Sequence, residues 1–441
     1  MAKLRGLLIP WILLGIWSTP AAAQDRRTVS EPGLPTQICT TLAAAPDAMP
    51  GSDTRRLQAA IDHCRGGAAV RLVPGGAARR FESGPLLMKS GVTLWIDAGA
   101  VLAATPDPAA YDLNGQCGRI DAKGKGCRPF LSFLGTRGGG IVGDGVIEGR
   151  GEAAIPSHGG ETWWQLARRA QREGGKQNNP RLIEIDDARD ITFYRITLRN
   201  AANFHVAMNH VEGATFWGVR IDTPADARNT DGIDPGAAQD VTIARSFIRT
   251  GDDNIAIKAG KGPTRHVSIL DSHFFAGHGV SIGSETNAGV SDVLVRHVSF
   301  EGTSSGLRIK SDASRGGLVR GILYEDVCLR GVKRPIEFDT RYDRSATGLS
   351  IPVYRDIVLR NIEGDSGTLV VRGHDAGHPI EALLDGVRFG PAAVWRTEFA
   401  ALTIGPNGAA PTPPGLAPTA MGGGGRCAAG RWAPMPSPAA P

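Results

Sequence analysis

From Ile183 onward, short apolar stretches return at a steady interval. Ile191-Thr192-Phe193, Ala214-Thr215-Phe216, Val241-Thr242-Ile243, Val267-Ser268-Ile269, Val293-Leu294-Val295 and Ile322-Leu323-Tyr324 occupy equivalent places. Their starts differ by 23, 27, 26, 26 and 29 residues, and most are followed by a second apolar pair such as Phe247-Ile248 or His273-Phe274. A period in the twenties, with short strands and glycine turns, predicts a solenoid. The leucine–asparagine signature of leucine-rich repeats is absent. No recurrent amphipathic helix lies between the strands, which excludes a doubly wound α/β sheet. The pattern predicts an all-β fold, a right-handed parallel β-helix in which each coil buries its inward side chains on the next. The repeat fades after Asn361.

Upstream, Ala69–Leu72, Gly91–Ile96 and Gly139–Ile147 read as further strands between polar turns. Arg26 to Leu42 reads as an extended entry segment. Ser52-Asp53 offers a helix N-cap, and Leu57, Ala60 and Ile61 follow at helical spacing up to His63-Cys64. This short N-terminal helix is expected to cap the open end of the stack, where bare strand edges would otherwise invite pairing. Trp163 to Arg169 is expected as a short helical insertion.

The two ends read differently. Lys3 and Arg5, the apolar run Leu7–Trp17 and Ala21-Ala22-Ala23 make residues 1–23 read as a secretory signal peptide. Pro10 and the shortness of the run disfavour a membrane anchor. Residues 24–404 form the expected β-helix domain. Residues 405–441, rich in Gly, Pro and Ala, are expected to be a flexible tail. The net charge of +5 falls to +3 without the signal. Secretion permits disulfides. Cys39 with Cys64, and Cys117 with Cys127, bracket short segments and read as local staples. Cys328 lies in an apolar strand and Cys427 in the tail. They are expected as a buried and a free thiol, with pairing to each other as the alternative. No Cys or His cluster has metal-ligand spacing.

The chemistry concentrates between Asn229 and Lys310. Asn229-Thr230-Asp231, Gly251-Asp252-Asp253-Asn254, Gly277-His278-Gly279 and Arg308-Ile309-Lys310 each interrupt or end a β-prone run. Stacked coils lie about 4.8 Å apart. Asp231 and Asp252, 21 residues apart, should therefore meet across neighbouring coils, with His278 and Arg308 on the coils beyond. Alone, each aspartate reads as an Asx turn or cap, and Asp252-Asp253 also as a calcium ligand pair. Together they suit glycosidic cleavage, which needs one carboxylic acid to protonate the leaving oxygen and one carboxylate to activate water or attack. Crowding three carboxyls must raise at least one pKa. Arg308 and Lys310 alternate about Ile309 and should face the same way, as a pair of cations for an anionic substrate.

In this order, these four motifs resemble glycoside hydrolase family 28, the polygalacturonases. The likeness extends through Arg27–Pro32, the Trp163-Trp164 helix, Asn203–Val206 and Gly277–Glu285, and is strongest to the bacterial endo-acting members. Asn254 stands where fungal members usually carry cysteine. The resemblance implies a right-handed parallel β-helix and a secreted, monomeric enzyme that cuts polygalacturonate internally, inverts the anomeric centre and needs no metal or other cofactor. It implies Asp252 as general acid, Asp231 and Asp253 as the groups that position and deprotonate water, and His278 as support for the acid or a substrate contact. Asn229, Arg308, Lys310 and, by a looser match, Tyr342 would hold substrate. No nucleic-acid partner is expected, and no membrane after signal cleavage. An exo-acting enzyme of the same family, a calcium-dependent pectate lyase and a non-catalytic β-helix shaft are the competing readings.

Overall fold

The computed structural model describes residues 24–46, 51–156, 158–422, 427 and 432–436, so the expected signal peptide lies outside the described residues. The chain winds as a right-handed parallel β-helix. Nearly all strand pairs are parallel, in one sheet of 23 strands and another of 11. The six triplet starts are ladder neighbours in turn. Ile191 pairs with Ala214, Ala214 with Val241, Val241 with Val267, Val267 with Val293 and Val293 with Ile322. A second ladder in the same sheet runs through Leu198, Ile221, Ile248, Phe274 and Phe300. Between the two the chain turns at single residues with positive φ, among them Arg195, Arg245, Asp271 and His297. Inward side chains of all coils form one continuous core, with like stacked on like. Phe193 lies flat on Phe216 at 4.8 Å between ring centres, and Phe274 on Phe300 at 4.9 Å.

The coils do not end at Asn361. Ile357–Gly364, Ile380–Phe389 and Ala400–Ile404 continue the ladder, Ile322 facing Ile357, Ile357 facing Ala382 and Ala382 facing Leu402. The steps of 35, 25 and 20 residues hide this continuity in the sequence, because the loop around Asp343–Ser350 lengthens one coil.

The N-terminal helix is Thr54–His63, with Leu57 and Ile61 buried in the core beside the first coil. Before it, the segment from Asp25 to Glu31 runs along the outside of the solenoid. The Asp25 amide donates to Ser268 Oγ at 2.9 Å, Arg27 Nη2 to the Ala214 carbonyl at 2.9 Å, and Tyr194 Oη to Glu31 Oε1 at 2.8 Å. The inserted helix is Trp163–Arg172, started by a reciprocal capping box between Thr162 and Gln165.

Cys39–Cys64 and Cys117–Cys127 are disulfides, as the spacing suggested. The expectation of two thiols at Cys328 and Cys427 is corrected: they are joined across 99 residues. The described part of the tail is not free either. Ala409–Ala410 adds to the strand Ile380–Phe389, Arg388 Nη2 donates to the Gly422 carbonyl at 2.9 Å, and the Arg330 guanidinium covers the Trp432 ring. These contacts bring Cys427 back to the coil of Cys328. Among the described residues, no helix is long and apolar enough to cross a membrane.

Candidate active site

The 11-stranded sheet positions the chemistry. Ile233–Asp234, Ile255–Ile257, Val280–Gly283 and Ser305–Lys310 are consecutive rungs, pairing through Ile233 and Ile255, Ile255 and Val280, and Val280 and Leu307. Asp231, Asp252-Asp253 and His278 lie in the turns that enter the first three rungs. Arg308 and Lys310 lie on the fourth, with Ile309 pointing into the core between them. The turns are tight because their backbones touch. The Gly232 amide donates to the Asp253 carbonyl at 2.9 Å and the His278 amide to the Asp252 carbonyl at 2.9 Å. Gly277, at φ +67°, has no room for a Cβ, which would fall 2.6 Å from that same Asp252 carbonyl. Asn254 serves this backbone frame. It is buried, donates to the Ile248 carbonyl and accepts from the Gly279 amide.

The side chains converge. His278 Nδ1 lies 3.1 Å from Asp252 Oδ1 and 3.7 Å from Asp253 Oδ1. Asp253 is buried and fully engaged. Lys310 Nζ donates to one oxygen at 2.7 Å, while Ser281 Oγ at 2.8 Å and Arg308 Nη1 at 3.3 Å donate to the other. Arg308 Nε stands 3.0 Å from Glu337. Arg308 and Lys310 also lie over the Tyr342 ring, at 5.4 and 5.3 Å, so the looser tyrosine match falls in the same place. Asn229 Nδ2 is 3.5 Å from Asp252 Oδ2. All eight residues singled out from the sequence line one cleft of about 500 Å³. The ligand atoms of Asp252, Asp253 and His278 lie within 4.8 Å of one another. The two cations on Asp253 oppose a metal ion there by charge.

Electrostatics separates the carboxyls. Burial, with the charges of Asp234 and Asp252, pushes Asp231 well above the carboxylate range. Asp252 behaves in the opposite way. Burial raises it, but the His278 hydrogen bond and charge, with Lys310, outweigh that and hold it well below. Of the two, Asp231 therefore holds a proton more tightly than Asp252.

Three comparisons bear on this arrangement. The sequence model of glycosyl hydrolases family 28 matches residues 89–391. This chain belongs to that family. It is similar to an endo-polygalacturonase of Pectobacterium parmentieri, 42% identical over 87% of this chain and 94% of the relative. A polygalacturonase of Ralstonia nicotianae is 38% identical over 86% and 85%. Among solved structures, the polygalacturonase of Erwinia carotovora superposes with a TM-score of 0.82 at 41% identity, over 86% of this chain and all of the other. The chain is thus a glycoside hydrolase, and the lyase and shaft readings are set aside.

This family 28 hydrolase also holds residues at the site that the sequence did not single out. Lys258 Nζ is 2.7 Å from Asp234 Oδ2 and 3.5 Å from Asp231 Oδ2, over the Phe204 ring at 4.6 Å. Among the described residues it is the one cation within ion-pair distance of Asp231 or Asp234. Burial nevertheless lifts Asp234 to about 6, against the pull of Lys258. The alternation Ile255-Ala256-Ile257-Lys258 marks Lys258 as the end of an inward–outward run, but not the direction in which its side chain reaches. His205, in the Asn203–Val206 stretch, is fully buried and structural. Its Nδ1 meets the Asp231 carbonyl at 2.9 Å and its Nε2 meets Thr223 at 2.8 Å, and burial lowers it to about 4.

Proposed function

We propose that the protein is a secreted endo-polygalacturonase that hydrolyses α-1,4-galacturonosyl linkages of polygalacturonate with inversion. The observation that carries this reading is the pairing of an acid–base trio, Asp231, Asp252 and Asp253, with two cations, Arg308 and Lys310, in one open cleft. The names of the most similar relatives agree with it, and the three disulfides suit an exported protein.

In this reading Asp252 protonates the leaving oxygen. It is ionised in the empty cleft because His278 and Lys310 favour its charge. A uronate arriving beside it adds negative charge, draws on Arg308 and Lys310, and excludes water. Each change favours the protonated acid. The trio needs only one proton, which moves from Asp231 to Asp252 as substrate binds. Asp231 and Asp253 then take the proton of a water that attacks the anomeric carbon from the opposite face. His278 shares its Nδ1 proton with Asp252 and steadies the exchange.

The cleft suits a chain cut internally. Phe204, Arg228, Asn229, Lys258 and Glu285 line both it and the next cavity, so the groove continues past the carboxyls. Proton NMR of the first product should show the β-anomer, and the viscosity of polygalacturonate should fall well before many reducing ends appear. Initial α-anomer would refute inversion, and galacturonate monomer as the sole early product would refute internal cutting.

Lys310→Ala should lower kcat/KM on polygalacturonate by about ten- to a hundredfold, the loss of one charge-assisted hydrogen bond. The loss on fully methyl-esterified pectin should be smaller. An equal fall on both substrates would remove Lys310 from carboxylate recognition.

A further inference from the structure

Next to the catalytic cleft, toward the earlier coils, lies a cavity of about 650 Å³ whose lining is strongly one-signed, with seven cations against two carboxylates. Both carboxylates already have a cation: Asp234 pairs with Lys258, and Glu285 with Arg315 at 3.4 Å. Lys123, Lys125, Lys176 and Lys261 are exposed and have no carboxylate within ion-pair distance among the described residues. Uncompensated like charges repel one another, so grouping them here costs stability and calls for a polyanion to offset them.

The lysines stand on a braced wall rather than on loose loops. Lys123 and Lys125 lie within the loop closed by Cys117–Cys127. Beside that loop, Lys176–Gln177 pairs antiparallel with Ile120–Asp121. Asn178 ties the two together: its side-chain oxygen accepts from the Gly126 amide and its carbonyl from the Gly118 amide at 2.9 Å. Lys261 faces this wall from the turn after Lys258. From the Asp252 coil back to the Arg181 coil is three steps, on the order of 15 Å of groove.

The opposite side of the catalytic centre differs. The cavity beyond Tyr342 sets Arg341, Arg344 and Arg372 against Asp312, Asp343 and Glu398. Arg372 is held by Asp339 at 2.9 Å, and Arg341 by Glu398. The positive potential is therefore lopsided.

We propose that the wall carrying Lys123, Lys125 and Lys176, with Lys261 facing it, is a distal binding arm for consecutive carboxylates of a polyuronate chain, so that the bound chain lies mainly on this side of Asp252. This rests on the polygalacturonate reading above and adds where the chain lies. It makes cleavage of short oligomers off-centre, because the better-held portion of the chain fixes the register at the carboxyls.

The test replaces the four lysines together by glutamine, leaving the disulfide loop and every catalytic side chain in place. End-labelled oligogalacturonates of increasing length and the polymer are then cut by both proteins at low and moderate salt. For the unaltered enzyme, kcat/KM should rise with chain length, and cuts should fall nearer one end. In the variant the polymer's kcat/KM should drop about tenfold at low salt. The salt dependence should flatten and the cut should move toward the middle, while the shortest cleaved oligomer reacts as before. An active variant with unchanged length dependence and cut position would overturn the arm and leave the hydrolase reading standing. An equal loss on the shortest oligomer and the polymer would also overturn it, because the lysines would then act on the catalytic centre. Absence of polygalacturonate hydrolysis by the unaltered enzyme would remove both readings together.

Discussion

Asp252→Asn is expected to fold and bind oligogalacturonate yet turn over about 10²–10⁴-fold more slowly. The amide keeps the shape of the carboxyl and can still accept from His278 Nδ1, which lies 3.1 Å away. It cannot deliver a proton to the leaving oxygen. The defect should lie in kcat, because the groups proposed to hold the uronate, Arg308 and Lys310, contact Asp253 rather than Asp252. Steady-state kinetics beside a thermal melt would separate the two effects. Near wild-type turnover in a well-folded variant would mean that another carboxyl donates. Asp231 would be first in line, since burial raises its proton affinity above that of Asp252.

Lys258→Met should be the most damaging single change to stability near the site. Methionine keeps much of the side-chain stem but removes the cation that lies over Phe204 and holds Asp231 and Asp234. Breaking a buried ion pair from one side costs about 3–5 kcal/mol. Here the carboxyls can take up protons instead, so the cost should depend on pH. Asp234 already stands at about 6 in the folded chain, above its unfolded value of 3.8. A carboxyl whose folded pKa is raised binds more protons folded than unfolded. Its contribution to stability therefore falls as pH rises through that window. Without Lys258 the window widens upward. Denaturant unfolding should show a small deficit at about pH 5 and the full deficit at about pH 8. The alkaline limb of kcat/KM should move up, because the proton that passes to Asp252 on binding is held by Asp231, and removing Lys258 makes Asp231 hold it to higher pH. A deficit independent of pH would show that the lysine acts by packing alone.

Much of this was legible in the sequence, and the parts that were not have physical reasons. The coil register was readable because inward residues recur: Val241, Val267 and Val293 occupy one column. Arg308 and Lys310 could be placed on one face because strand alternation is strict over three residues. The later coils were hidden because one long loop stretched the period. Lys258 was hidden because its side chain reaches back a coil, past the turn at Pro235-Gly236, and no spacing rule says so. The position of the proton was hidden too. Asp231 and Asp252 sit in similar turns, and it is burial beside Asp234 for the one and the placing of His278 and Lys310 for the other that send their pKa values apart. The Cys328–Cys427 bridge cannot be read from the sequence with certainty, since a Gly/Pro/Ala tail carries no periodic signal of where it docks.

The outer N-terminal segment has a consequence for how the catalytic coils open. A solenoid built only from neighbour contacts can fray one rung at a time. Asp25 to Glu31 bind side chains and carbonyls on the rungs of Tyr194, Ala214, Thr242 and Ser268. That is a clasp over the same run of coils that presents Asp231 and Asp252. Closing so long a loop costs only logarithmically in chain length, whereas peeling any one of these rungs must first release the clasp. Hydrogen exchange should therefore find these coils opening as one block, and clipping the chain after Glu31 should let them exchange singly.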